Sequence, residues 1–297
     1  MTSGQTTDWL ELTRRAGLAG HDLVGWLMWD PDAIARHAAN GVPNGTGWIV
    51  AWRLAALDHI TPAAASAMTY SMNADMIAAV LAMTYDATDP AAITAARNAS
   101  VEPGLESIAP GLGEQLAPLA DDLWRGVDSV HFGARPFFSA FRAEPRPVNR
   151  PALSAWLAVN CMRELRGDNH WALCASEDLD AVEVGLLHSA MVDPAEYESE
   201  EWIARSRGND DAAIAAGWAR LESKGLATDG ALNNAGRTLR IEIEQRTDAL
   251  TAPAWQEVGE SSTRALCDAV AAYHDAFVAR IDATAGPKWM PAVRHTS

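Results

Sequence analysis

A chain of 297 residues, 48% of them hydrophobic, can bury a large core without disulfide or metal staples, and two domains is the natural expectation at this length. The net charge of −16 argues against an extended nucleic-acid surface, because neutralised phosphates supply most of the affinity of such surfaces. Three scattered cysteines, Cys161, Cys174 and Cys267, do not make a disulfide framework or a thiolate zinc site, and no apolar run reaches the roughly 20 residues of a membrane span.

The opening Met1-Thr2-Ser3-Gly4-Gln5 has no basic stretch followed by an apolar one, so no secretory signal is expected and a reducing cytoplasm fits. Trp9, Leu10, Leu12, Leu18, Leu23, Val24, Trp26 and Leu27 recur at helical spacing, which predicts helices over 8–40, with Asp30-Pro31-Asp32 capping a new start at Ala33. Residues 41–47 are a loop by composition, and a helix over 48–57 follows. Thr61-Pro62 fits an N-cap with proline at the first helical position, and the Ala- and Met-rich run 63–84 reads as one buried helix. Asp89-Pro90 starts another, to about Ser100.

Clustered Gly and Pro over 101–118 predict a loop or short helical turns. A helix over 114–127 leads into an irregular junction, His131 to Pro136, and the prolines of 142–151 forbid helix or central strand. A helix over 152–166 should break at Gly167, ahead of helices over 169–176 and 178–191. In the last third the expected order is helix (199–206), turn (Arg207-Gly208-Asn209), helix (210–224), a short hairpin around Asp229-Gly230, a long helix (234–250) and a terminal helix (260–282). The fold class expected is mainly α: a helical-bundle domain over 1–192 and a winged-helix-like module with a short β-hairpin, plus the terminal helix, over 193–297.

The string Leu221-Glu222-Ser223-Lys224-Gly225-Leu226, followed by Leu232 and Ala235-Gly236-Arg237, resembles the passage from recognition helix to wing in winged-helix proteins. In such a module helix 210–224 would enter the major groove with its N-terminal end nearest the bases. Here that end is Asp210-Asp211, then Ala212, Ala213, Ile214, Ala215, Ala216 and Gly217: the aspartates repel phosphates and the alanines carry no donors. Residues 193–257 hold 13 acidic and 7 basic side chains, a local charge of −6. A packing or dimerising role is therefore expected of the module, a homodimer is an open possibility, and nucleic acid is not an expected partner.

The segment Arg166-Gly167-Asp168-Asn169-His170 closes a helix whose stripe Leu153, Trp156, Leu157, Val159, Cys161 and Leu165 is long enough to be buried. Ionisable groups beside a core are costly unless paired, and such pairing often serves a site. In the catalytic reading Asp168 holds the His170 imidazole in one tautomer and Arg166 clamps an anion. In the structural reading Arg166 and Asp168 form a salt bridge and His170 caps the next helix. Arg53, Tyr70 and Asn73 interrupt apolar helices, and His131 and Arg135 lie in an irregular junction, so all five are candidate ligand-binding residues. No metal motif, phosphate loop or nucleophile elbow is present, no metal site is assigned, and the cofactor is unknown, with haem ligation by His170 left open.

The chain also resembles a widespread actinobacterial family of about this length, with a helical N-terminal region, an RGDGH-type motif and a C-terminal winged-helix-like (helix-turn-helix) module. The motif is matched at Arg166, Gly167, Asp168 and His170, with Asn169 where Gly is usual; Leu187-His188, Arg53 and Arg135-Pro136 also fall on recurring positions. That family has no firmly established activity, so the resemblance implies a fold and a candidate site. The expected function is small-molecule binding in an apolar pocket with Arg53, Arg166, Asp168 and His170 at its polar end, possible enzyme chemistry at His170 included. The alternatives are a ligand-responsive winged-helix transcription regulator and a non-catalytic dimerisation or scaffold protein.

Overall fold

The computed structural model describes residues 6–294 apart from Asp193 and Glu198; Met1 to Gln5, read above for a signal, lie outside the described residues. The fold is mainly α, with one two-stranded antiparallel sheet. In chain order, α1 (Trp9–Gly25) is capped by Asp8 and α2 (Pro31–Ala39) by Asp30, whose Oδ2 accepts from Ala33 N at 2.9 Å. After α3 (Trp48–Leu54), the expected single helix over 63–84 is two, α4 (Pro62–Thr69) and α5 (Ala74–Ala87). Tyr70, at φ +49°, leaves the helical path, and Asn73 restarts it by accepting from Met76 N at 3.0 Å.

The loop expected over 101–118 is overturned in its first half, since α6 (Pro90–Ile108) runs through Pro103. Val101 and Leu105 anchor this turn in the core, and Gly104 lies against the buried Trp26 ring, so packing overrides local propensity. Then come α7 (Leu112–Leu116), α8 (Ala120–Asp128) and α9 (Pro136–Ala143). The break expected at Gly167 is also overturned: α10 is continuous from Pro151 to Ser176. One interior glycine costs about 1 kcal/mol, less than the burial of Leu165 and Leu173 on either side can supply.

Next are α11 (Ala181–Leu187), a 3-10 turn (His188–Met191), α12 (Pro194–Tyr197), α13 (Trp202–Ser206), α14 (Asp211–Ser223) and strands β1 (Ala227–Thr228) and β2 (Ala231–Leu232). In their register Ala227 faces Leu232 and Thr228 faces Ala231. The long α15 (Asn234–Val258) follows, and the expected terminal helix is two, α16 (Glu260–Ala271) and α17 (His274–Thr284), separated where Tyr273 leaves helical φ/ψ. No described helix is long and apolar enough to cross a membrane.

The chain forms two compact units, each drawn from separated stretches. Of the described residues, the first holds 6–33, 95–169 and 247–294, and the second holds 34–94 and 170–246. In the first unit α1 packs on α16 and α17, burying Leu12, Ala16, Leu23, Leu266, Val270, Phe277 and Ile281. Arg15 to Asp268 at 2.8 Å and Asp22 to His274 at 2.9 Å join α1 to α16 and α17, and Asp30, the cap of α2, pairs with Arg280 of α17 at 2.5 Å. In the second unit Leu173, Cys174, Leu186, Leu187, Ile214, Trp218, Leu221, Leu232 and Ile243 form one apolar cluster beneath the winged helix.

Candidate functional site

The motif on α10 is best followed residue by residue. In the first unit Arg166 donates to Asp248 at 3.1 Å, and Arg14 reaches the other oxygen of that carboxylate at 3.5 Å; Asp248 itself is buried. The hollow beside Arg166, which Gly17, Gly20, His21, Arg163 and Trp255 also line, measures about 10 Å³. That is room for one water and no ligand. Asp168 accepts the Phe138 backbone N–H at 2.9 Å. Phe138 is the third residue of α9, whose own N-cap residue, Arg135, makes no side-chain cap. A carboxylate from another helix thus supplies the missing acceptor, and its charge suits the positive end of α9.

Asn169 accepts from Arg135 Nε at 2.9 Å and donates to Thr251 at 3.1 Å, while Arg135 also donates to the His131 carbonyl at 2.5 Å. His131 is exposed and its Nδ1 accepts from Gly133 N at 3.2 Å, so both candidate residues of this junction shape the turn between α8 and α9.

On a continuous α-helix residues two apart point about 200° away from each other. Asp168 thus leaves α10 in a different direction from Arg166 and His170, and Arg166 pairs with Asp248. His170 lies inside α10, six residues before its end at Ser176, so it caps no helix.

His170 belongs to the second unit. Four ionisable groups act on the His188 imidazole: Arg240, Arg207, Glu244 and His170. They come from α15, from the turn between α13 and α14, and from α10. His188 keeps a little exposed surface, yet burial first and the two guanidiniums next hold its imidazole well below its usual range, in the neutral form. Arg240 is only 5% exposed and pairs with Glu244 one turn along α15. Its buried Nε has no hydrogen-bond partner among the described residues. One turn past His170, the Cys174 thiol is pushed up to about 12, chiefly by burial. Sequence reasoning placed none of Arg207, Arg240 or Glu244 in a site. They lie far apart in the chain, and the i, i+4 spacing of Arg240 and Glu244 looks like an ordinary surface pair.

Tyr70 and Asn73 frame this region. The Tyr70 ring stacks on Trp171 with centroids 5.3 Å apart and planes 4° apart, and its hydroxyl donates to the Leu179 carbonyl at 2.5 Å. Burial pushes that hydroxyl up to about 12. Asn73 N donates to the Arg207 carbonyl at 2.9 Å, and at Gly208, with φ +89°, an added Cβ would stand 3.1 Å from the Asn73 Cβ. Asn73 thus fixes the turn that carries Arg207. Arg53 lies half-buried in the last turn of α3. Among the described residues no group of three or more His, Cys, Asp or Glu is arranged to hold a metal ion.

The winged helix is assembled from α11, α13, α14 and the β1–β2 hairpin. Ile214, Gly217, Trp218 and Leu221 form the buried face of α14, and Gly217 admits Val182 of α11 within 2.7 Å of where a Cβ would stand. Its exposed face reads Asp211, Ala212, Ala215, Ala216, Ala219 and Glu222, with Asp229 at the wing tip. The basic side chains around it are engaged. Arg205 pairs with Glu201 and Asp211 at 2.5 Å, Arg220 with Asp180, Lys224 with Glu183 at 2.9 Å, and Arg237 with Glu200 at 3.3 Å. No curated protein and no solved structure matches the chain. The profile of a helix-turn-helix family matches residues 13–284, most of the sequence. With the α13–turn–α14 pair and its wing in place, the chain belongs to that helix-turn-helix family.

Proposed function

We propose that the chain is a small-molecule-binding protein whose site lies in the second unit, at His170, His188, Arg207, Arg240 and Glu244, with Tyr70 and Trp171 beside it. The observation that carries this reading is the buried Arg240 guanidinium, held by Glu244 through one Nη and keeping a buried Nε without a partner among the described residues, in a region where Arg207 and His170 also act on the buried His188. Such a gathering is costly to fold around nothing. In this reading Arg166, Asp168, Asn73, His131 and Arg135 support the scaffold, and His170 is the member of the original motif that meets ligand. Native mass spectrometry of protein purified from its own host tests it. A retained small molecule, lost in Arg240→Gln, is the expected result; bare protein under conditions that keep the fold would refute it.

Family membership favours a second reading, a ligand-responsive regulator that touches DNA through α14. The exposed face of α14 argues the other way, since it offers alanines and carboxylates where a groove reader presents cations and donors. A mobility-shift titration of the protein's own promoter fragment across rising salt separates the two. We expect no retardation at 50 mM salt. Retardation that falls steeply with salt and vanishes on Ala216→Glu would establish the regulator.

A further inference from the structure

We propose a further ligand site in the first unit: a cleft between α8, the start of α10 and the segment 144–150, which takes a planar aromatic ring carrying an ammonium group. The cleft has a volume of about 590 Å³. Small-molecule sites usually measure about 300–1,000 Å³. Asp121, Trp124, Arg125 and Asp128 form one wall from a single face of α8, since residues three and four apart on a helix are neighbours. Arg146, with Pro147, Val148 and Pro151, forms the other.

The two walls are locked together at Arg146. Its guanidinium lies 3.9 Å from the Trp124 ring centroid, and Asp128 holds its edge at 2.9 Å and 2.6 Å. Trp124 is 6% exposed and its Nε1 donates to Ser154 at 3.0 Å, so the ring is fixed as well. Asp128 also meets Arg142 at 3.4 Å, and Arg146 first and Arg142 next hold its carboxyl below its usual range. With one face on the indole and one edge on the carboxylate, Arg146 keeps its outer face, and its side chain is 38% exposed. A guanidinium face is weakly hydrated and stacks on conjugated rings, so a flat ring adds a third layer with little ordering left to do. Val148, 92% exposed, and the two prolines offer apolar surface beside that layer.

Charge selects the rest of the ligand. Arg125 is engaged by Asp122 at 2.6 Å and by the Glu257 and Val258 carbonyls at 2.9 Å, and Arg146 by Asp128. The remaining ionised group of the cleft is Asp121, exposed and in no ion pair among the described residues. A carboxylate one helical turn from Trp124 receives an ammonium, whereas an anionic ring meets only cations that are already neutralised.

Calorimetric titration of the full chain with tryptamine, indolepropionate and cyclohexylethylamine tests the proposal, since the second lacks the cation and the third the flat ring. Tryptamine should bind saturably and roughly fivefold or more tighter than either. Asp121→Asn, on an exposed side chain, should bring tryptamine and indolepropionate to within about twofold of each other. Arg146→Lys, which keeps the charge and loses the plane, should remove the preference for tryptamine over cyclohexylethylamine. Should Arg146→Lys lose its fold, Asp121→Asn decides alone. Arg240→Gln, in the second unit, should leave tryptamine binding unchanged. The proposal is overturned by the absence of saturable tryptamine binding, by equal binding in the parent and both first-unit variants, or by a loss confined to Arg240→Gln.

Discussion

Removing the Asp168 carboxylate separates a catalytic role from a structural one. Asp168 is 4% exposed, and its Oδ2 holds the third backbone N–H of α9 at 2.9 Å where the local cap residue offers nothing. In Asp168→Ala that amide, on the fully buried Phe138, loses its acceptor. Loss of an N-cap costs about 0.5–2 kcal/mol, and a hydrogen bond to a charged group is worth about 1.5–3 kcal/mol. These are two views of one interaction, so about 2 kcal/mol is expected, not their sum. At roughly 2–4 °C per kcal/mol the melting temperature should fall about 4–8 °C, toward the low end for a chain of this size. Asp168→Asn keeps an oxygen and gives up the charge, and about half that loss is expected. Differential scanning calorimetry with urea titration measures both, and ligand retention is read on the same samples at a temperature where each variant is folded. The reasoning is refuted if Asp168→Ala melts within about 1 °C of the parent yet no longer retains ligand.

Two further perturbations test the first unit. Burial raises the Asp22 carboxyl to about 6, against the opposing pull of its contact with His274. An acid whose folded value lies above its unfolded one contributes stability at low pH and loses it as pH rises toward 6, a difference on the order of 2–3 kcal/mol. The stability gap between parent and Asp22→Asn should therefore shift in favour of the variant from pH 4 to pH 7; a gap that stays constant would show that Asp22 does not titrate in that window. In Gly104→Ala the new Cβ would stand 2.2 Å from Cη2 of Trp26, a wholly buried ring whose Nε1 is held by the Leu23 carbonyl at 2.9 Å. The helix-propensity gain of about 1 kcal/mol is outweighed by overpacking of about 1–3 kcal/mol or more, so urea denaturation should show a net loss. A net gain would mean that the ring has somewhere to go.

Helical periodicity and caps were readable wherever a local rule decided the outcome. Asp30, Thr61, Asp89 and Asp210 all cap helices by accepting the N–H three residues on. The recognition-to-wing string was readable for the same reason, since the turns at Gly225 and Gly230 require positive φ. Legibility failed where tertiary packing outweighs a local signal. Pro103 and Gly104 advertise a loop, but Trp26, more than seventy positions upstream, needs the groove that Gly104 leaves. Gly167 advertises a break, but Asp168 and Asn169 are bound to α9 and α15 and keep α10 in register. Of the motif, His170 alone falls in the second unit. Its company, Arg207 and Arg240, comes from stretches that the sequence alone does not bring together.

The interleaving of the two units bears on how the chain is made. Both stretches of the second unit that carry helices are complete once Arg246 has left the ribosome, whereas the first unit waits for Arg294. At about 5–20 residues per second the interval is roughly 2–10 s, during which the apolar stripe of α1 has no α16 or α17 to cover it. A nascent chain in that window is a natural client for a chaperone, and a stop codon placed between Arg246 and the start of α16 at Glu260 should yield an aggregating product in place of a truncated but working module.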